Sequence, residues 1–422
     1  MKILLLNQYF YPDVAATAQH ASDLASELSA RGHNVTAISS RCAYDDPAKR
    51  LSKREVWHDI SIVRLPCTAF DKSSRFGRCL NFASYYISCT RRLIFTGRQD
   101  VVIALTSPPL IAVLAALFVR LKGGALVYWV MDLNPDEAIA AGWLPQRSWP
   151  TAVLDAISCR TLRAADVVLA LDRFMAERLY AKVSARHKTQ VLPLWSHDRA
   201  VIYDPAGRLK FRKQHGLGSK YVVMYSGNHS PCHPLDTVLE AARALAGNPE
   251  VKFCFVGGGS EFRRVREFAV RHTLTNMLCL PYQPLADLSA SLSAADLHVV
   301  LMGNSFVGIV HPCKIYNILA IGAPVLYIGP TPSHITDLLP ESAANRWFFS
   351  AQHGDVSGTA NRILDSQRLA IRRSRDEIRT AARFSQQNIV PQLIAAIEQV
   401  HIRDTQEYPQ PAMTYSIDDP AR

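Results

Sequence analysis

Long unbroken hydrophobic runs are missing from this 422-residue chain. The most apolar region, residues 101–119, is split at its middle by Thr106-Ser107-Pro108-Pro109. A proline pair of that kind separates a strand from a helix, so it argues against a single membrane-spanning helix. A secretory core is lacking as well, because only a handful of apolar residues precede Asn7. The nine cysteines are odd in number and contain no C-x-x-C pair. They indicate reduced thiols in a reducing cytosol, with neither a disulfide framework nor a zinc ribbon. No nucleic-acid signature stands out, and no nucleic-acid partner is expected.

What is present is apolar residue in quantity, 48% of the chain, enough to bury the cores of two globular units. The formal charge of +11 points to an anionic partner, either a small substrate or a membrane face. Its distribution is informative. Residues 71–98 carry Lys72, Arg75, Arg78, Arg91, Arg92 and Arg98 against a single Asp71, with Phe76, Leu80, Phe82, Tyr85, Tyr86 and Ile87 between them. Such a helix either lies on anionic lipid with its aromatic side in the headgroup layer, or is a solvated basic face over an ordinary core.

Residues 2–7, 34–40, 60–65, 101–106 and 125–130 read as buried parallel strands, with residues 166–171 and 190–194 extending the set. Helical spacing lies between them. In residues 17–31, Ala21, Leu24, Ala25 and Leu28 form one stripe, and Gly32 stops it. After Leu194 the texture becomes polar and basic, and the alternation restarts with strands at 221–226, 251–256, 277–280, 297–301 and 324–328. The expected organisation is α/β: one doubly wound domain over residues 1–198, a second over 199–384, a terminal helix over 385–402 and a disordered tail over 403–422. Two open α/β halves leave a cleft between them, with ligands beyond the carboxyl ends of the strands.

The centre of interest is residues 303–325, read as loop, helix, turn and strand. Gly303 and Gly308 let the backbone approach a ligand, Pro312 suits a first helical position, and Lys314 adds charge one turn into a helix whose amino end attracts anions. An ordinary crossover with a surface lysine is the competing reading. In the first half, Ala15 and Ala16 precede a helix carrying His20, and Asp132 and Glu137 follow the strand at 125–130. Asp132 is either an acceptor-orienting group or base, or part of a helix cap together with Asp136 and Glu137. In the second half, Gly227-Asn228-His229 ends a strand and opens a helix, and Gly257-Gly258-Gly259 forms another turn. His229, Cys232 and His233 lack the closed set that zinc requires, so no metal site is expected there.

Taken in order, Tyr9-Phe10-Tyr11-Pro12-Asp13, the run Leu28 to Val35, Ser107-Pro108-Pro109, Asp132-Leu133-Asn134-Pro135-Asp136, Tyr225-Ser226-Gly227-Asn228, Val256-Gly257-Gly258-Gly259, Lys314-Ile315-Tyr316-Asn317 and Gly322-Ala323-Pro324-Val325 form a pattern. It resembles the retaining family-4 glycosyltransferases of the GT-B fold, especially the group of colanic acid, O-antigen and capsule assembly. The resemblance implies an acceptor-binding first domain, a nucleotide-sugar-binding second domain and a terminal helix returning to the first. It also implies a metal-independent reaction that needs no cofactor beyond the donor. On this basis Asp132 and His20 are the expected catalytic residues. Gly227, Asn228, His229, Gly257, Gly258, Gly308, His311, Lys314 and Asn317 are expected at the donor, and Ala15, Ala16 and Glu137 on the acceptor side.

The chain departs from the family pattern in three places. The usual glutamates, eight positions apart before a G-x-P-V turn, fall on Ile309 and Asn317, the arginine and lysine after the Tyr225 strand are absent, and Asp132 stands where a histidine is expected. The expected function is transfer of a sugar from a nucleotide donor to a glycan or polyprenyl-lipid-linked acceptor in cell-surface polysaccharide biosynthesis. The site of action would be the cytoplasm or the inner membrane face. The alternatives are a nucleotide-sugar epimerase of the same architecture and a non-catalytic sugar-nucleotide-binding partner.

Overall fold

In the computed structural model, residues 1–44, 46, 49–70, 75–197, 200–339, 347–370 and 380–407 are described. The first apolar runs form one eight-stranded sheet: β1 (Lys2–Leu6), β2 (Asn34–Ser40), β3 (Arg54–Trp57), β4 (Ile60–Leu65), β5 (Val101–Ala104), β6 (Ala125–Trp129), β7 (Val167–Ala170) and β8 (Thr189–Val191), in the order β3-β4-β2-β1-β5-β6-β7-β8. Seven strands run parallel. The sequence reading missed β3, a short antiparallel edge strand whose polar Arg54 and Glu55 break the buried-strand pattern. The central strands are buried on both faces and therefore lack an alternating pattern.

The covering helices are α1 (Ala16–Ala30), α2 (Arg75–Ile94), α3 (Ala112–Lys122), α4 (Asp136–Ala140), α5 (Trp149–Ala164) and α6 (Arg173–Lys182). Local chemistry sets their starts. Ser148 accepts from the Thr151 amide with Pro150 just inside α5, and Asp172 accepts from the Met175 amide at 2.8 Å to open α6. On α2, Tyr85, Cys89 and Leu93 face the core, while Phe76, Leu80, Ile87 and Ile94 form an outward apolar stripe.

The second sheet contains β9 (Tyr221–Asn228), β10 (Val251–Gly258), β11 (Met277–Leu280), β12 (Leu297–Leu301), β13 (Val325–Ile328) and β14 (Phe348–Ala351), all parallel, in the order β11-β10-β9-β12-β13-β14. Its helices are α7 (Pro205–Gln214), α8 (Asp236–Ala244), α9 (Phe262–Arg271), α10 (Leu288–Ser293), α11 (Lys314–Ile321), α12 (His334–Leu338) and α13 (Val356–Leu369). The order reverses between β9 and β12, so the crevice for a ligand opens beyond those two strand ends. Both sheets and their covering helices make a GT-B architecture.

The chain crosses between the lobes twice at one place, where the Ser196 amide donates to the Phe384 carbonyl at 2.8 Å. It then enters α14 (Gln386–Glu407), which packs against α1 and β5–β7 through Ile389, Leu393, Ile394 and Ile397. This helix runs to Glu407, past the expected end at residue 402. The expected tail from residue 408 onward lies outside the described residues, as do residues 71–74 of the basic segment.

Candidate active site

At the crevice of the second sheet, glycine is required by close packing. Gly227 and Gly257 face each other in register with φ of +131° and +133°, and a Cβ on Gly257 would sit 2.1 Å from the Gly227 carbonyl. Gly258 meets the Tyr282 ring, and its carbonyl accepts from the His229 amide at 2.7 Å. Asn228 is exposed at the strand end.

His229 is buried. Its Nδ1 donates to the carbonyls of Gly227 at 3.0 Å and Gly258 at 3.3 Å, so the tautomer leaves Nε2 as a bare lone pair without a hydrogen-bond partner among the described residues. Burial, aided by the Lys314 charge, lowers its pKa to about 3. His233 is also held neutral near 3 by burial and Lys314, and it donates from Nδ1 to the Leu301 carbonyl at 2.8 Å.

Lys314 lies between these groups. The helix begins at Lys314 itself, because Pro312 and Cys313 form the turn before it; the lysine stands in the first turn of α11 instead of one turn in. Its Nζ is buried, without a hydrogen-bond partner among the described residues, and 3.5 Å from the centre of the Tyr225 ring. A Cβ on Gly227 would touch that ammonium group at 3.3 Å, so the glycine leaves the space the lysine uses. Desolvation lowers the lysine pKa from 10.5 to about 7. Beside the same strand ends lies a cavity of about 400 Å³ lined by Pro234, Thr237, Asn304, His353 and Gly354 among others, within the usual range of ligand pockets.

From the first lobe, Asp132 follows β6 and sits close to Glu137 on α4. Burial and the neighbouring Glu137 push Asp132 up to about 8, and burial raises Glu137 as well. Glu137 accepts from Asn134 at 3.2 Å and faces the Cys232 thiol of the other lobe at 3.9 Å. Tyr44, which the sequence reading did not single out, feels both carboxylates, and its amide donates to Asp13 at 2.7 Å. Ala15 is the N-cap residue of α1, and Ala16 is exposed at its start.

The remaining expected residues hold the lobes together. A Cβ on Gly308 (φ +71°) would lie 2.5 Å from the Phe174 carbonyl on α6, so this glycine meets protein backbone at that point. Around it, the Leu133 amide donates to the Ile309 carbonyl at 2.8 Å and Arg178 Nε donates to the Val307 carbonyl at 2.6 Å. His311 donates from Nδ1 to Asp172 at 2.9 Å, and its Nε2 meets the Tyr316 hydroxyl at 2.8 Å. Burial, the largest single influence, would raise Asp172, but the hydrogen bond and charge of His311, the His334 charge and the Met175 amide together outweigh it and hold the carboxylate down to about 2. Asn317 Oδ1 accepts from the His197 amide at 3.0 Å. His20 is buried against Trp195 and stacks on His197 at 4.8 Å, and burial lowers its pKa.

Asp172, which pairs with His311, was not singled out in the sequence. Among the described residues, two His/Asp groups bring metal-binding side-chain types together, His20–Asp23–His197 and Asp172–His311–His334. In the second, the His311 and His334 rings stack at 4.0 Å, which puts their lone pairs in near-parallel planes instead of aiming them at one point.

The two α/β lobes and the strand-end crevice are those of the GT-B architecture. Residues 16–195 match the Glycosyl transferase 4-like domain and residues 207–352 match Glycosyl transferases group 1, so the chain carries both domains in that order. It is 27% identical over 335 residues to an Escherichia coli (strain K12) protein named as a putative colanic acid biosynthesis glycosyl transferase, WcaI, covering 76% of this chain and 82% of that one. It is 24% identical over 245 residues to a Pseudomonas aeruginosa protein named as a probable glycosyltransferase, WbjE, covering 58% of this chain and 61% of that one. Among solved structures it is similar to the sucrose-phosphate synthase of Thermosynechococcus elongatus, with TM-score 0.73, 16% identity, and coverage of 96% of this chain and all of that one. HepE of Anabaena, solved in complex with UDP and glucose, matches with TM-score 0.69, 19% identity, and coverage of 94% of this chain and 99% of that one.

Proposed function

We propose that this glycosyltransferase moves a sugar, with retention and without a metal, from a nucleoside-diphosphate donor to a glycan or polyprenyl-lipid-linked acceptor in cell-surface polysaccharide biosynthesis. The observation that carries the donor assignment is the buried Lys314 ammonium at the head of α11, beside the Gly227 backbone and without a hydrogen-bond partner among the described residues. Departure of a nucleoside diphosphate builds negative charge on the leaving phosphate. A desolvated cation and a helix amino end placed there favour that charge more than they favour the ground state. Bringing up the phosphate draws a proton onto Lys314, while the neutral His229 and His233 add no positive charge that would compete with it.

The cavity beside Thr237, Asn304 and His353 has room for the nucleoside end of the donor. HepE, a structural neighbour, was solved with UDP and glucose, which supports a nucleotide sugar as the donor class. Asp132, once ionised, orients the acceptor hydroxyl and takes its proton, with Glu137 and Tyr44 beside it. The relatives named for glycosyl transfer set the epimerase alternative aside.

Among the described residues no helix is long and apolar enough to cross a membrane. The outward stripe Phe76, Leu80, Ile87 and Ile94, with Arg91 nearby on the same helix, fits peripheral attachment to the anionic cytoplasmic face. Incubation with UDP-, GDP- and TDP-sugars and a lipid-linked acceptor panel tests the reading. Nucleoside diphosphate should appear with one donor and only when an acceptor is present. Failure of every donor to bind or to turn over would overturn it.

A further inference from the structure

β2 and β4 are parallel neighbours with Ser40 in register with Leu65, so the residues two beyond each end, Cys42 and Cys67, fall side by side. Their sulfur atoms are 2.8 Å apart. Arg50, held by a bridge to Cys42, donates through its guanidinium to Cys42 Sγ and, at 3.1 Å, to the Cys67 carbonyl. Ser40 Oγ completes the group at 2.9 Å from Cys67 Sγ.

The two sulfurs are thereby made unlike. The hydrogen bond from Cys67, supported by Ser40 and Arg50 against the cost of burial, lowers Cys42 to about 6, whereas Cys67 is raised. Burial without such partners acts oppositely elsewhere, pushing Cys89 and Cys254 up to about 12. A thiolate beside a resolving thiol is the arrangement that oxidises reversibly, and the low exposure of Cys42 favours a small oxidant over a bulky disulfide.

We propose that Cys42 and Cys67 form a hydroperoxide-reactive pair that closes to an intrachain disulfide, with Cys42 as the attacking sulfur and Cys67 as the resolving one. The Cys42 thiolate attacks the terminal peroxide oxygen, the O–O bond breaks, and the departing alkoxide or hydroxide takes a proton, leaving Cys42 as a sulfenic acid. Cys67 then attacks that sulfur; the S–O bond breaks, and the Cys67 proton leaves with the oxygen as water. In sum two thiols and one hydroperoxide give one disulfide, one alcohol (water when the oxidant is hydrogen peroxide) and one water, the sulfurs being oxidised and the peroxide reduced.

The bond would tie the turn after β2 to the segment after β4. That segment anchors α2, since the Thr68 amide donates to Ser84 at 3.0 Å and the Phe70 amide donates to Asn81 at 2.9 Å.

The test uses the full chain and hydrogen peroxide. Wild type should yield a Cys42–Cys67 cross-linked peptide that a dithiol reverses. C67S should stop at a sulfenic acid trapped by dimedone, and C42S should yield neither product at this pair. The pH midpoint for alkylation of Cys42 should move upward in R50M relative to wild type. A folded wild-type protein that keeps both thiols free under peroxide, or dimedone uptake by C67S no greater than by C42S, overturns the proposal.

Discussion

Replacing Lys314 by methionine keeps the length of the side chain and removes its charge. The ammonium group is buried without a hydrogen-bond partner among the described residues, and its pKa falls from 10.5 to about 7. At about 1.4 kcal/mol per unit, that shift corresponds to roughly 5 kcal/mol of penalty for the charged form, and local relaxation on titration brings the expected effect to about 2–4 kcal/mol. The folded pKa lies below the unfolded one, so between pH 7 and 10.5 the unfolded chain holds more protons and stability rises with pH. The penalty is fully present below pH 7 and gone above 10.5. Lys314→Met should therefore be more stable than wild type at pH 6 and equal to it near pH 10.5, as read by urea denaturation. Binding moves the other way. Wild-type affinity for the nucleoside diphosphate selected in the donor panel should hold up to pH 7 and then fall by up to tenfold per unit, because the lysine must first regain its proton. The variant should bind about 1.5–3 kcal/mol more weakly at pH 6.5, with little pH dependence. Calorimetry at pH 6–9 measures both. A variant that is less stable at pH 6 and binds that nucleotide as wild type does would refute the reasoning.

Asp132→Asn should lower transfer by about 10²- to 10⁴-fold and remove the rise in rate with pH that wild type should show through about 8; an unchanged rate profile would take Asp132 out of the chemistry. Gly308→Ala introduces a Cβ 2.5 Å from the Phe174 carbonyl at φ +71°, so it should cost at least about 1–2 kcal/mol from the backbone alone and loosen the lobes, seen as a lower Tm and a larger radius of gyration. Reversing Arg91 and Arg92 to glutamate removes about 2 kcal/mol of attraction to anionic lipid, roughly thirtyfold in vesicle partitioning. Equal sedimentation of the two forms would return α2 to an ordinary solvated face.

The fold was legible where burial is two-sided. β12 coincides with the run at 297–301, and β5 and β6 lie within the runs at 101–106 and 125–130, since a strand covered on both faces is mostly apolar. Two of the four edge strands, β3 and β14, were not legible: β3 carries Arg54 and Glu55, and β14 lies within a short run after residues the sequence leaves featureless. At the site, Gly227, Gly257 and Lys314 announced themselves through residue type and position, and the structure brings them together around Tyr225. The contacts of His311 and Asn317 were beyond reach. Their partners, Asp172 and His197, are 139 and 120 residues away in sequence, and neither partner carries a local signal for pairing.

The two positions where glutamates are expected from the resemblance turn out to be neighbours of the interlobe contacts. Ile309 is buried in the apolar core that the lobes share, and its carbonyl takes the Leu133 amide. A carboxylate in that place would be desolvated among apolar side chains at a cost of several kcal/mol unless paired. Asn317 spends its side-chain oxygen on the His197 amide, in the strand of chain that joins the lobes. Both positions thus belong to the lobe interface, as does the loop at residues 307–311 docked on α6. On the proposed reading, recognition of sugar and ribose hydroxyls passes to groups outside that interface, such as the exposed Asn228 and the Thr237, Asn304 and His353 side chains around the cavity. Neutralisation of the leaving phosphate falls to Lys314, the buried amine over the Tyr225 ring.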